Sequence, residues 1–291
     1  MVRLLSGEKA PGPAVLPRNG MTARDFGVFQ RILYQQSGIV LTEAKRALVE
    51  SRVTQRLRAL RMDSYHSYLR FLAQDTSGEE LVHLIDAIST NVTKFFREED
   101  HFVLLDELVA RWVADGARRL RFWSAGCATG EEPYTLAMVL HDHAVDHGLD
   151  LRILATDIST RALAFAGRGA YEPQRLSSVP AELRRRHFAE RNEEGEYLAA
   201  EPLKRLIMFR RLNFTKMPYP INGVFDAIFC RNAMIYFDQD LRSRMVAEFA
   251  RLLRPEGYLF VGHSETLIGR ESLYRTIKPS VYQRLNDGGD A

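Results

Sequence analysis

Phe122-Trp123-Ser124-Ala125-Gly126-Cys127-Ala128-Thr129-Gly130-Glu131-Glu132-Pro133-Tyr134 reads as a buried strand, a turn of small residues and a helix starting near Pro133. Gly126 and Gly130 would let the backbone approach a ligand closely. The stretch lacks the G-x-G-x-x-G spacing of a dinucleotide fingerprint. Glu131 and Glu132 at the helix start would repel a pyrophosphate placed there. A cationic or zwitterionic ligand suits the turn better, although a plain tight strand–helix turn would read the same way.

On either side of this stretch the texture repeats. RLRFWSAG, LRILATD, FDAIFCR and YLFVGHS are short apolar runs ending in small or polar residues, with helical patterns between them at Glu131–His147 and Asp240–Leu253. Strand alternating with helix predicts an α/β domain with a parallel sheet wrapped by helices. From Ala170 to Asn213 the alternation fails. A short helix after Pro180, a turn at Glu193-Glu194-Gly195-Glu196 and the alternating Ile207-Met208-Phe209-Arg210 predict an inserted hairpin or small antiparallel sheet over about 180–212. Upstream, Phe26 to about Ile88 carries helical signals only. Thr42-Glu43 opens a helix there, with Leu48, Val49, Val53, Leu57 and Leu60 assigned to one helical sector. Residues 1–20 hold Pro11, Gly12, Pro13, Pro17 and Gly20 and read as a disordered tail. The domains expected are therefore 21–90, helical, and 91–291, α/β.

Composition sets the class. The 291 residues are 46% hydrophobic and 26% charged, as in an ordinary globular protein. No apolar run approaches the roughly 20 residues of a membrane helix. Two cysteines exclude a disulfide framework and make the cytoplasm the expected compartment. Residues 1–75 hold 12 Lys+Arg against 6 Asp+Glu, while the rest holds 28 against 31. A basic N-terminal portion on a mildly acidic body suggests an acidic partner, although a solvated charged face would have the same balance.

Several polar residues fall where an open α/β sheet binds ligands, at the carboxyl ends of strands. Asp157 follows the second run, where an acidic residue can accept both hydroxyls of a ribose; Asp157 or Ser159 could equally cap the next helix. A small-residue turn without phosphate chemistry, plus a ribose-type acid, points to S-adenosylmethionine rather than NAD. Arg231 and Asn232 leave the FDAIFC strand, and Tyr236 would project near the same cleft. Asn213-Phe214 adds a polar–aromatic pair. Asn91, Thr93, Phe95, Phe96 and Arg97 lie between the two expected domains, a favoured place for ligand sites. His141, His143 and His147 lack a metal-ligand pattern, and no metal is expected.

Thr93…Phe95-Phe96-Arg97, WSAGCATGEEPY, ATDIS, CRNAMIYFD and GHSE, in this order and spacing, closely resemble the chemotaxis receptor methyltransferases, the CheR family. The resemblance spans about residues 22–285. It implies a small all-α N-terminal domain and a Rossmann-like S-adenosylmethionine-dependent methyltransferase domain with an inserted antiparallel β-subdomain. The implied activity is methyl transfer to glutamate side chains of chemoreceptors. The cofactor site would map to Asn91, Thr93, Arg97, Glu132, Asp157, Asn213, Phe214, Arg231 and Asn232. Arg97 and Tyr236 would act near the transfer centre, with Arg97 holding the cofactor's carboxylate or orienting the substrate. The family's basic second helix matches Lys45, Arg52, Arg56 and Arg58, which would dock the acidic helical region of the receptor. The insert's loop, Glu190 to Gly195, is short and has one glycine, where members that grip a receptor tail peptide look longer and Gly-richer; no tail-peptide docking is expected.

A nucleic-acid methyltransferase is the rival class. An adenine-N6 enzyme would need an Asn/Asp-Pro-Pro-aromatic run and a cytosine-C5 enzyme a Pro-Cys nucleophile; neither occurs. The expectation is a cytoplasmic monomer that binds no nucleic acid and inserts into no membrane.

Overall fold

Trp123 lies at the centre of the sheet because both its neighbours in register are apolar: Leu154 on one side and Ile228 on the other. The computed structural model describes residues 20–267 and 272–286. The expected tail, residues 1–20, lies outside the described residues apart from Gly20.

The chain divides into two compact units, one of residues up to Leu33 with Leu41–Ile88, the other of Tyr34–Val40 with the residues from Ser89 onward. The elements run α1 (Ala23–Ser37), α2 (Arg46–Leu60), α3 (Tyr65–Gln74), α4 (Glu79–Ile88) and α5 (Asp100–Ala114), then β1 (Arg119–Ala125), α6 (Glu131–Asp146), β2 (Asp150–Asp157) and α7 (Thr160–Arg168). There follow β3 (Ala170–Tyr171), α8 (Ala181–His187), β4 (Tyr197–Leu198), α9 (Glu201–Leu206) and β5 (Ile207–Arg211). The chain continues through β6 (Phe225–Cys230), α10 (Gln239–Leu252), β7 (Leu253–Val261), β8 (Tyr274–Lys278) and β9 (Val281–Arg284).

Seven strands form one sheet in the order β5-β2-β1-β6-β7-β9-β8. The first five are parallel; β9 pairs antiparallel with β7 and β8. From β1 the chain first winds outward through β2 to β5, then returns to the other side of β1 through β6 and β7. The winding direction therefore reverses between β1 and β6, the point beyond whose strand ends open α/β sheets bind their ligands. Alternation along the strands feeds two cores. Phe122, Phe229 and Phe260 pack on one face, with the Phe229 and Phe260 rings stacked 4.2 Å apart. On the other face Trp123 contacts the rings of Tyr219, Phe225 and Phe249.

Several expectations are corrected. Ile207–Arg211 is not part of an inserted hairpin: β5 pairs in parallel with β2 and forms one edge of the main sheet. The alternation read there is that of an edge strand, with Met208 exposed. The antiparallel insert is smaller, a two-residue β3–β4 pair, with α8 and α9 from the same segment. In the helical unit the buried positions of α2 are Val49, Val53 and Leu57. Leu48 is exposed, because it lies 100° from Val49 on a helix. Thr42 precedes a short 3₁₀ turn, Glu43–Lys45, and not α2 itself.

The basic stripe is also altered. Arg56 forms a two-pronged ion pair with Glu80 on α4, at 3.0 and 2.6 Å, and the Tyr68 hydroxyl donates to the same carboxylate at 2.6 Å. Arg52 donates to the Ala87 carbonyl oxygen at 2.9 Å. Lys45 lies in the 3₁₀ turn, so its helical register with Arg52 is broken. Arg58 remains exposed. Two of the four expected docking residues thus tie α2 to α4. Glu80 is only 4% exposed, and removing its cation leaves a buried carboxylate with a single neutral donor side chain. Arg56→Ala should cost roughly 3–5 kcal/mol. Urea unfolding of the full chain checks this; an unchanged transition would mean that the pair does not hold the unit together.

Candidate functional site

The turn after β1 is shaped by contacts within the protein. Gly126 and Gly130 have φ of 87° and 95°, which favours glycine at both. A Cβ on Gly126 would lie 3.0 Å from the Ala233 side chain, and one on Gly130 2.7 Å from the Tyr171 hydroxyl and 2.8 Å from Ala166. Neighbouring protein therefore also requires glycine at both positions.

Asp157 closes β2 beside this turn. One of its carboxylate oxygens accepts the Ala128 N–H and the other the Ser159 N–H, both at 2.9 Å. Ser159 caps α7, its hydroxyl accepting the Ala162 N–H at 3.1 Å. Asp157 therefore fixes the turn, while Ser159 performs the capping that the sequence allowed to either residue. The two glutamates of α6 part company. Buried Glu131 pairs with Arg175 at 2.6 Å. Glu132 accepts the Ser124 hydroxyl at 2.7 Å and faces Arg231 at 3.6 Å. Burial raises the pKa of Glu132, against the pull of Arg231.

Arg231, at the carboxyl end of β6, is the hub. It is 6% exposed. Its guanidinium lies 3.3 Å from Glu98 and 5.1 Å from the Phe102 ring centre, and it donates to the Arg97 carbonyl oxygen. Asn232 follows at φ 57°; its amide nitrogen is 3.4 Å from Glu98. Phe96 and Glu98 also have positive φ, 52° and 55°. Three non-glycine residues in the left-handed region thus cluster at one site, a conformation that costs free energy and is held by its surroundings. Burial would raise the Glu98 pKa, but Arg231 and the His263 N–H outweigh it and hold the carboxyl below its usual range. One guanidinium between Glu98 and Glu132, with Asp157 beyond, leaves this group of four formally negative.

The remaining expected residues are placed as follows. Asn91 and Thr93 are half-buried on the segment before α5; Arg97, on the same segment, donates to the Val92 carbonyl at 3.2 Å. Asn213 is committed to the Gln36 carbonyl at 2.6 Å and to Thr215. The Phe214 ring packs with Tyr219, Phe237 and Phe249 in the core. Tyr236 ends a 3₁₀ turn, Met234–Tyr236, and is half-buried. The sequence reading missed Glu98 and Glu265. Glu265 ends the GHSE motif and Glu98 directly follows Phe95-Phe96-Arg97, but Glu98 reaches Arg231 across 133 positions and Glu265 reaches Asn232 across 33.

Glu98, His101 and His263 bring ligand atoms within 4.8 Å of one another. Arg231 already neutralises Glu98, and its fixed positive charge opposes a dication there.

Residues 91–283 match the family described as CheR methyltransferase, SAM binding domain, and residues 24–89 the family described as CheR methyltransferase, all-alpha domain. The chain is 40% identical over 263 residues to chemotaxis protein methyltransferase 2 of Pseudomonas aeruginosa, covering 90% of this chain and 93% of that protein. It is 37% identical over 261 residues to the chemotaxis protein methyltransferase of Borreliella burgdorferi, with coverage of 87% and 92%. Against the Escherichia coli chemotaxis protein methyltransferase the identity is 36% over 276 residues, covering 93% and 94%.

His101, against this site, and His187, in the inserted segment, both have pKa values lowered to about 4. Burial is the main cause in each, aided by Arg231 at His101 and by His141 at His187. The unfolded chain takes up these protons near its ordinary value of about 6.5, before the folded one does. Their contribution to stability is therefore complete above about pH 6.5 and is lost as pH falls towards 4. NMR titration of the imidazoles checks the premise, and a His101 midpoint above 6 would refute it.

Proposed function

The chain belongs to the CheR methyltransferase family, and on that premise we propose that it methylates glutamate side chains of chemoreceptors, using S-adenosylmethionine. The observation that carries the reading is the negative balance of Glu98, Glu132, Arg231 and Asp157 at the point where the sheet reverses its winding. A cationic sulfonium with an adenosine and no phosphate fits such a site, and a pyrophosphate does not. When bound, S-adenosylmethionine supplies an electrophilic methyl group.

The protein's own tasks follow from the substrate. A glutamate side chain has a reference pKa of about 4.3, so it is already a carboxylate at neutral pH and needs no base to take a proton. What remains is to hold the partners in line and exclude water, because transfer removes both charges. Asp157 would accept the ribose hydroxyls, and Glu132 and Arg231 would line the cofactor site. A carboxylate approaching a negative site needs a cation near its path, and Arg97 is the half-exposed candidate. Tyr236 would orient the nucleophile by a hydrogen bond. Asn91, Thr93, Asn213, Phe214 and Asn232 complete the cofactor site in this reading. Lys45, Arg52 and Arg58 are the docking cations of the helical unit in this reading, since a carbonyl acceptor leaves the charge of Arg52 unbalanced, whereas that of Arg56 is balanced by Glu80. The reading places the enzyme in the cytoplasm, as a monomer. Among the described residues no helix is long and apolar enough to cross a membrane.

Labelled S-adenosylmethionine should place base-labile label on receptor-rich membranes; label that resists base would exclude a carboxyl ester. Asp157→Ala should weaken binding of S-adenosylhomocysteine by at least about 1.5 kcal/mol, the scale of a charge-assisted hydrogen bond. Calorimetry on a folded variant decides this, and unchanged affinity removes Asp157 from the site. Tyr236→Phe should lower turnover more than cofactor affinity. Wild-type turnover at saturating substrate would mean that the hydroxyl does not position the nucleophile.

A further inference from the structure

Glu265 lies just beyond β7, next to the Arg231–Tyr236 turn that leaves β6. It is 6% exposed. Among the described residues no Lys, Arg or His forms an ion pair with it; its partners are backbone N–H groups. One carboxylate oxygen accepts from Asn232 at 2.8 Å and from Gly262 at 2.7 Å, while the other accepts from Ile235 at 3.1 Å. Burial raises its pKa, and these N–H groups, with that of Met234, pull it back. A buried carboxylate with no counter-cation is costly unless its lone pairs are met by hydrogen bonds, and here they come from one turn and the adjacent strand end.

The cradle has no slack. A Cβ at Gly262 would lie 2.4 Å from the Asn232 side-chain nitrogen and 2.9 Å from the Glu265 carboxylate. Cys230 and Val261 are neighbours in register, so the carboxylate bridges the ends of two adjacent parallel strands. The residues it clasps, Asn232 and Ile235, precede and lie within the turn that presents Tyr236, and Asn232 is held at a positive φ.

We propose that Glu265 is a positioning residue for methyl transfer: its carboxylate clamps the Asn232–Tyr236 turn so that Asn232 faces the cofactor and Tyr236 faces the nucleophile. This rests on the reading of Asn232 and Tyr236 given above. Glu265 itself touches neither cofactor nor substrate; it acts through the turn.

The test uses the full chain and three variants. Glu265→Gln keeps the shape but turns an amide N–H₂ towards backbone N–H groups. It should lower kcat at least tenfold at saturating cofactor and receptor, weaken S-adenosylhomocysteine binding at least threefold, and leave the receptor KM within threefold. Tyr236→Phe should lower kcat in the wild-type background but add little in the Glu265→Gln background, because the hydroxyl is already misplaced. A role confined to stability would leave the two effects multiplicative, which overturns the proposal. If Glu265→Gln does not fold, Gly262→Ala probes the same cradle with the carboxylate intact and should show the same pattern. Wild-type kcat and affinity in either folded variant would also overturn the proposal. Should Asp157→Ala and Tyr236→Phe behave as described while Glu265→Gln is silent, this inference alone fails. If Asp157→Ala and Tyr236→Phe are both silent, the site reading fails and takes this inference with it.

Discussion

A guanidinium taken out of water needs carboxylates and carbonyls around it, and Arg231 is nearly sequestered at the carboxyl end of β6. That requirement draws together segments far apart in the chain. Glu98 comes from the segment before α5, Glu132 from the first turn of α6, and the carbonyl of Arg97 completes the set. Each partner is fixed by its own element: Glu132 by a helix that starts as soon as the small-residue turn ends, Glu98 by a left-handed backbone that only tertiary contacts hold. Remove the cation and the two carboxylates that face it lose their shared counter-charge. The site is therefore built as an electrostatic unit, and its shape and its charge have the same origin.

The same neighbourhood shows two ways of burying a carboxylate. At Glu98 a cation outweighs burial and holds the pKa below its ordinary value; at Glu265 burial outweighs the backbone N–H groups and raises it. The first balances charge next to the site. The second leaves charge unchanged but fixes geometry, because peptide N–H groups are rigidly part of the chain they clamp. The site uses each where its effect is needed.

The helical unit applies the ion-pair solution to structure alone. Arg56 and Arg52 share a sector of α2, yet both reach α4: Arg56 is neutralised by Glu80, and Arg52 donates to the Ala87 carbonyl while keeping its charge. A wheel shows which residues share a sector. It does not show that another helix carries a buried acid at the matching height. The basic balance of residues 1–75 therefore overstates by at least one the charge available to a partner, because Glu80 neutralises Arg56 from outside that stretch.

How much the sequence settled differs from residue to residue. Small residues after an apolar run at Phe122–Ala125 require a strand–turn–helix, and the repetition of that pattern requires a parallel sheet; both follow from local sterics and periodicity. Asp157, Arg231 and Asn232 at the ends of such runs were legible because the carboxyl edge of an open sheet is where polar residues meet ligands. What the sequence left open lay in long-range pairing. Ile207–Arg211 has the alternation of any edge strand, and only its docking on β2 excluded a hairpin. Phe214 could be read only as part of a polar–aromatic pair, and the three rings that pack on it come from Tyr219, Phe237 and Phe249. Glu98 and Glu265 carried no local mark, since a buried carboxylate is defined by what meets it, and those partners come from elsewhere in the chain. Periodicity and steric rules act over a few residues and can be read from order alone; the compensation of buried charge acts through space, and only the folded chain decides it.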